Sequence, residues 1–253
     1  MQEENGGKSI FTNNSYQELI YEEGDVIYVN NVPFTLRRKN NKWVAQGTAS
    51  SMTNATHDTL LGNGFSCLYC ESPARIQSYN ASTGLYKVRF TSEATLIGDF
   101  DYYNTGIVLA GRTTDSLVTM YPTFAIIRFY TTRKNIEKLY LALDDELIVN
   151  SASVTPKSGA APTMSNVGTE MFAPVPEDDG LGAYWSGSFI YAVNTGADNP
   201  GRYEWHAIVP LAKDNVSTDI YIGTKLTDGT SGSRKTTSKV TLSRGKVYTI
   251  SLT

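Results

Sequence analysis

The sequence predicts an all-β protein arranged as two β-sandwich domains, over residues 1–117 and 118–253. Three observations carry this expectation. Gly, Ser, Thr and Asn are abundant and Tyr reaches 16, a profile that favours strands and turns over helices. Sustained helical periodicity is hard to find, whereas short runs alternate apolar and polar side chains. Turn-forming residues separate these runs at short intervals.

The first half opens with Val26-Ile27-Tyr28-Val29, then Asn30-Asn31, Phe34-Thr35-Leu36, the polar tip Arg37-Arg38-Lys39-Asn40-Asn41-Lys42 and Trp43-Val44-Ala45, which together read as a meander. Phe65 to Cys70 reads as an apolar strand. Leu85 to Phe90 alternates in period two, directing Tyr86, Val88 and Phe90 to a core and Lys87 and Arg89 to water. Between Gly106 and Thr119 an apolar run gives way to Arg112-Thr113-Thr114-Asp115-Ser116 and then to new apolar sequence, which sets the domain boundary.

The second half begins with Phe124-Ala125-Ile126-Ile127-Arg128-Phe129-Tyr130, nearly continuous enough for a strand buried on both faces. Lys138 to Leu143 fits a helical turn or a strand, and its β neighbours and the Asp144-Asp145 turn favour the strand. Residues 151–182, rich in Ser, Pro, Gly and Ala, read as long surface loops with at most a short strand. Strands are expected again at Tyr203 to Val209 and Thr218 to Ile222, and at Lys239 to Leu242 and Lys246 to Leu252, the last two joined at Arg244-Gly245. About seven short strands in each half suit a pair of sandwiches.

A net charge of -3 with thinly spread Lys and Arg gives no footprint for phosphate neutralisation, so nucleic acid is not an expected partner. No apolar run approaches the roughly eighteen residues of a membrane-spanning helix. Met1 to Gly7 lacks the basic and apolar regions of a signal peptide, and such a polar, acidic start is also what remains once an export signal is removed.

No motif announces catalysis, a cofactor or a metal. Cys67-Leu68-Tyr69-Cys70 has no second pair, and only His57 and His206 could add ligands, so zinc lacks a donor set. On a strand, positions three apart face opposite ways, which reads as two buried thiols and not a redox motif. No Gly-x-Ser-x-Gly occurs, and Trp185-Ser186-Gly187-Ser188 lacks the leading glycine. His206 falls on the strand face opposite Tyr203, Trp205 and Ala207 and is expected at an edge or in solvent. Glu177-Asp178-Asp179 and Asp144-Asp145-Glu146 match no calcium-loop spacing and read as solvated turns, although paired acids are also what glycoside hydrolysis uses. Tyr184-Trp185, flanked by glycines, reads as core or as a stacking platform for sugar. The four Asn-x-Ser/Thr sequences, at Asn13, Asn54, Asn80 and Asn215, are expected by chance in a Ser- and Thr-rich chain.

Glu23-Gly24-Asp25-Val26-Ile27-Tyr28-Val29, the hairpin to Trp43, Gly106 to Gly111, Phe124 to Phe129 and Gly245-Lys246-Val247-Tyr248-Thr249-Ile250 together resemble the fimbrillin-like surface proteins of Bacteroidetes. The resemblance implies two transthyretin-like β-sandwich domains and export as a lipoprotein, with a lipid as the only membrane attachment. It implies a place on the outer membrane surface or in a fimbrium (a pilus), where subunits join by strand donation to one another or to further copies. The expected assembly edges are Ile10 and Phe11 near the start, and Tyr248 and Ile250 on the last strand. In the family, proteolysis at a basic residue after the first strand opens the acceptor groove. Here no Lys or Arg lies between Phe11 and Leu36, so cleavage would fall at Lys8 or at Arg37 and Arg38, which leaves shaft, tip and anchor roles open. The expected function is non-catalytic adhesion or pilus assembly, in contact with a host protein or glycan. The alternative is a carbohydrate-binding module of the bacterial surface, with Tyr184 and Trp185 as its platform.

Overall fold

The computed structural model describes residues 2–3, 21, 23–40, 42–57, 64–70, 73–90, 107–144, 147–168, 189–199 and 202–252. Over these residues the chain is all-β apart from a single short α-helix and one 3-10 turn. It divides into two compact units, of which the first comprises Met1–Phe90, Ile107–Thr123 and Ser151–Val167. Residues 117 and 118, where the sequence divides by texture, form one short strand of that first unit.

In chain order the first unit contains β1 (Gln2–Glu3), β2 (Val26–Val29), β3 (Val32–Lys39), β4 (Lys42–Gln46), α1 (Ala49–His57), β5 (Phe65–Cys70), β6 (Ile76–Asn80), β7 (Leu85–Arg89), β8 (Val108–Thr113), β9 (Leu117–Val118) and β10 (Tyr121–Pro122). The second unit starts with β11 (Phe124–Thr131) and β12 (Ile136–Leu143), and the chain then returns to the first for β13 (Ser151–Thr155) and β14 (Thr163–Gly168). It closes in the second unit with β15 (Phe189–Asn199), β16 (Arg202–Pro210), β17 (Val216–Thr218), β18 (Ile220–Leu226), β19 (Ser231–Lys235), β20 (Val240–Leu242) and β21 (Val247–Leu252).

The first unit has an eight-stranded sheet, ordered β10-β8-β5-β2-β3-β4-β1-β9, and a four-stranded sheet, β14-β13-β7-β6. Asn30 and Asn31 explain its first hairpin. Both take left-handed backbone angles, φ 49 and 64, and they close β2 onto β3 with Val29 opposite Val32. A two-residue turn of this hand matches the strand twist, and Asn is among the few side chains that tolerate it. Ile27, Val29, Phe34 and Leu36 are buried from this hairpin. Tyr86, Val88 and Phe90 are buried while Lys87 is exposed, as the period-two pattern predicts. At Gly111 an added Cβ would lie 2.2 Å from the Thr119 carbonyl oxygen, so glycine lets β8 pass close to the segment that follows β9.

A buried polar hub ties these elements together. Asn30 Nδ2 donates to the Ala55 carbonyl on α1 at 2.8 Å, while its Oδ1 accepts from Ser66 N of β5 at 2.8 Å and from the Tyr79 hydroxyl of β6 at 3.2 Å. The Tyr86 hydroxyl donates to the Ser66 carbonyl at 2.9 Å and accepts from Asn31 N at 2.8 Å. Buried polar groups are tolerated when every partner is supplied in this way.

Two elements differ from expectation. Helix α1 is too short to show periodicity, yet Thr48 marks its start, the hydroxyl accepting from Ser51 N at 3.1 Å as an N-cap does. Residues 151–168, expected as loops with at most a short strand, form β13 and β14, and the small side chains of Ala152, Ser153 and Val154 are all buried. Their weak hydrophobicity hid the pattern.

The second unit is a seven-stranded arrangement, β19-β18-β12-β15-β16-β11-β21, with a β17-β20 ribbon beside it. β15 pairs with β12 through Phe189 to Ala192, and with β16 from Val193 to Asn199, where the register shifts twice. Bulges of this kind bend a strand so that it serves two sheets. Between the two groups of strands lies one core: Ala125, Ile127 and Phe129 from β11, Leu139 and Leu141 from β12, Trp205 and Ala207 from β16, with Ile220 and Ile222 from β18. Lys138 to Leu143 is thus strand. β20 and β21, adjacent in sequence, pair elsewhere, β20 with β17 and β21 in parallel with β11. Arg244 holds the crossing between them, donating to the Leu211 and Ala212 carbonyls.

Tyr86→Phe removes the acceptor of Asn31 N and is expected to lower unfolding free energy by about 1–3 kcal/mol. Leu117→Ala, at an exposed position, should change it by less than about 0.5 kcal/mol. Urea denaturation of both variants checks this pair.

Candidate functional site

The strand positions that could take a neighbour's backbone lie at sheet edges and at the short strand β1. β1 runs antiparallel to β4, with Gln2 opposite Val44 and Glu3 opposite Trp43. It runs parallel to β9, with Gln2 opposite Leu117 and Glu3 opposite Val118. β4 extends from Lys42 to Gln46, and among the described residues β1 ladders with its Trp43 and Val44.

β21 ends the strand order of the second unit, and among the described residues only its β11 side is laddered. Tyr248 and Ile250 are partly buried against the core on this strand, and the Tyr248 hydroxyl accepts from Ser243 N at 2.8 Å. Arg37 and Arg38 are exposed on β3, opposite Val44 and Trp43, and Arg38 N donates to Glu23 Oε1 at 3.1 Å. A protease would have to open this hairpin, since it binds substrate as extended, unpaired chain. Lys8, Ile10, Phe11, Tyr184 and Trp185 lie outside the described residues, as do Asp145, Glu146 and Glu177 to Asp179.

Cys67 and Cys70 are buried on β5 and form no disulfide. Asp144 holds backbone: its Oδ2 accepts from Asp219 N at 3.1 Å, its own N donates to Thr218 Oγ1, and Lys239 Nζ lies 3.8 Å away. Among the described residues no group of three or more His, Cys, Asp and Glu side chains is arranged to hold a metal ion.

His206 corrects the expectation of an edge or solvent-facing ring. It is 4% exposed, on the sheet face opposite Trp205, because that second face is covered as well: Ile126, Tyr130 and Ile208 beside it are buried too. The register sets Arg128 opposite His206 and Tyr130 opposite Glu204. Glu204 Oε1 receives Arg128 Nε at 3.1 Å and the His206 Nε2–H, while Arg128 also donates to the Tyr130 hydroxyl. Arg202 lies with its guanidinium carbon 3.5 Å from the Tyr130 ring centroid, a cation–π contact. Burial holds the His206 pKa below its usual 6.5; the Glu204 carboxylate pulls it upward without overcoming that, and the Arg128 cation adds to the lowering. The sequence signal for this cluster was a lone Arg inside an apolar strand, with an acid and a His two apart on another.

No protein-family model matches the chain, and no curated protein matches its sequence.

Because the folded state resists protonating His206, its contribution to stability is full above pH 6.5. That contribution falls as the pH drops below 6.5 toward the lowered folded value, since only the unfolded chain then takes the proton. The urea midpoint should therefore decline between about pH 7.5 and 5.5, and His206→Gln should flatten that slope. An identical slope in the variant would assign the pH dependence to other groups.

Proposed function

We propose that this chain is a non-catalytic cell-surface subunit, adhesive or fimbrial, built of two transthyretin-like sandwiches and joined to its neighbours by exchange of β-strands. It is exported, is held at the outer membrane or in a fimbrium through a lipid, and contacts other subunits, further copies or a host surface.

The observation that supports this most is the position between β4 and β9, where Gln2 and Glu3 of β1 are laddered to Val44 and Trp43 on one side and to Leu117 and Val118 on the other. A strand from another molecule, entering in the same direction, would take over these main-chain pairs. Main-chain pairing gives such contacts their affinity, and alternate side chains give them specificity. The likeness to fimbrillin-like proteins agrees with this reading. The unladdered side of β21, with Tyr248 and Ile250, is a second edge of the same kind.

A chain shortened to begin at Tyr21 lacks the β1 strand and is expected to associate into multimers by light scattering. A peptide of residues 1–12 should return it to monomers. A shortened chain that stays monomeric, or multimers that ignore the peptide, would count against strand exchange at this position.

A further inference from the structure

The second unit also carries a cleft. It opens between β19 and β21, the two ends of the strand order, and encloses about 180 Å³. That is room for roughly six water molecules, or for one small ring. Its floor is apolar, made by Ile136, Ile222 and Leu252, all buried in the core. Thr131, Thr224 and Ser233 line the cleft as well.

Two guanidinium groups complete the lining, Arg133 and Arg234. Arg234 Nη2 donates to the Ser251 carbonyl at 2.9 Å, bridging β19 to β21 and leaving the rest of its fork available. Arg133 follows β11, its backbone N donating to Thr131 Oγ1 at 3.1 Å. Among the described residues no carboxylate pairs with either Arg, and none lines the cleft, in a chain whose net charge is -3. Two cations that meet no carboxylate among the described residues, beside an apolar floor and three hydroxyl-bearing residues, suit a ligand with a matching division of chemistry.

We propose that this cleft binds an acidic sugar residue. The planar carboxylate takes the two guanidinium forks, which recognise such groups with paired hydrogen bonds. Ring hydroxyls meet the Thr and Ser side chains, and the C–H face of the ring covers Ile136, Ile222 and Leu252. Gly232 keeps the mouth open: a Cβ there would lie 3.7 Å from Thr224 Oγ1, so a larger side chain fits the backbone while occupying the cleft. This inference stands on the cleft, and its test is separate from that of strand exchange at the β4–β9 position.

The test is a titration of the isotope-labelled full chain followed by NMR, with glucuronate, glucose, acetate and inorganic phosphate as separate probes. Glucuronate is expected to give saturable amide shifts at residues 131–136, 222–224 and 231–234. Glucose, acetate and phosphate should each bind at least about tenfold more weakly. Arg133→Gln should weaken glucuronate by roughly tenfold, and Gly232→Val should block it with the thermal midpoint unchanged. Equal affinity for any of the other three probes, shifts confined to other residues, or wild-type affinity in both variants would overturn the proposal.

Discussion

A backbone amide removed from water must be paired, and in this chain that demand is met mostly by strand ladders. The demand explains both how the interior is built and where the molecule is open to others. Central strands such as β5, between β2 and β8, have both sides satisfied. Among the described residues the strand at the end of an order, such as β21, is laddered on one side. The reading of this chain as an assembling surface protein follows from that imbalance.

The same demand shapes the second unit. All eight residues of β11 are buried, between β16 on one side and β21 on the other. Burial on both faces suits the inward Ile127 and Phe129 but forces Arg128 to find a partner. Glu204 and His206 supply it from β16. Breaking such a group by removing a single member leaves a buried charge uncompensated, which is why these side chains act as a unit. Just past the end of the same strand Arg133, with Arg234 of β19, lines a cleft, and among the described residues neither meets an acid.

Much of the architecture was legible in the sequence wherever one face met water. Leu85 to Phe90 alternated plainly, and Asn30-Asn31 announced a turn whose handedness only a few residues accept. Legibility failed where side chains were small, as in β13, and where a strand of mixed pattern has its polar face covered, as in β16. His206 was read as exposed because alternation reports which face a residue is on and not whether that face is covered. The mid-strand change of partner in β15, and the parting of β20 from β21, depend on contacts distant in sequence. Of the candidate site, the assembly role expected of Tyr248 and Ile250 came with the resemblance, because an end strand and a central strand carry the same periodic pattern. The β4–β9 position was not readable, since it joins segments distant in sequence.

Hydrogen exchange at the β4–β9 position reports most directly on the central claim. In the monomer, amides of 42–46 and 117–118 should exchange faster than those of 65–70 and 108–113, and they should slow on assembly while the central strands stay as they were. Equal protection of 42–46 in monomer and multimer, or slowing confined to 247–252, would contradict the account.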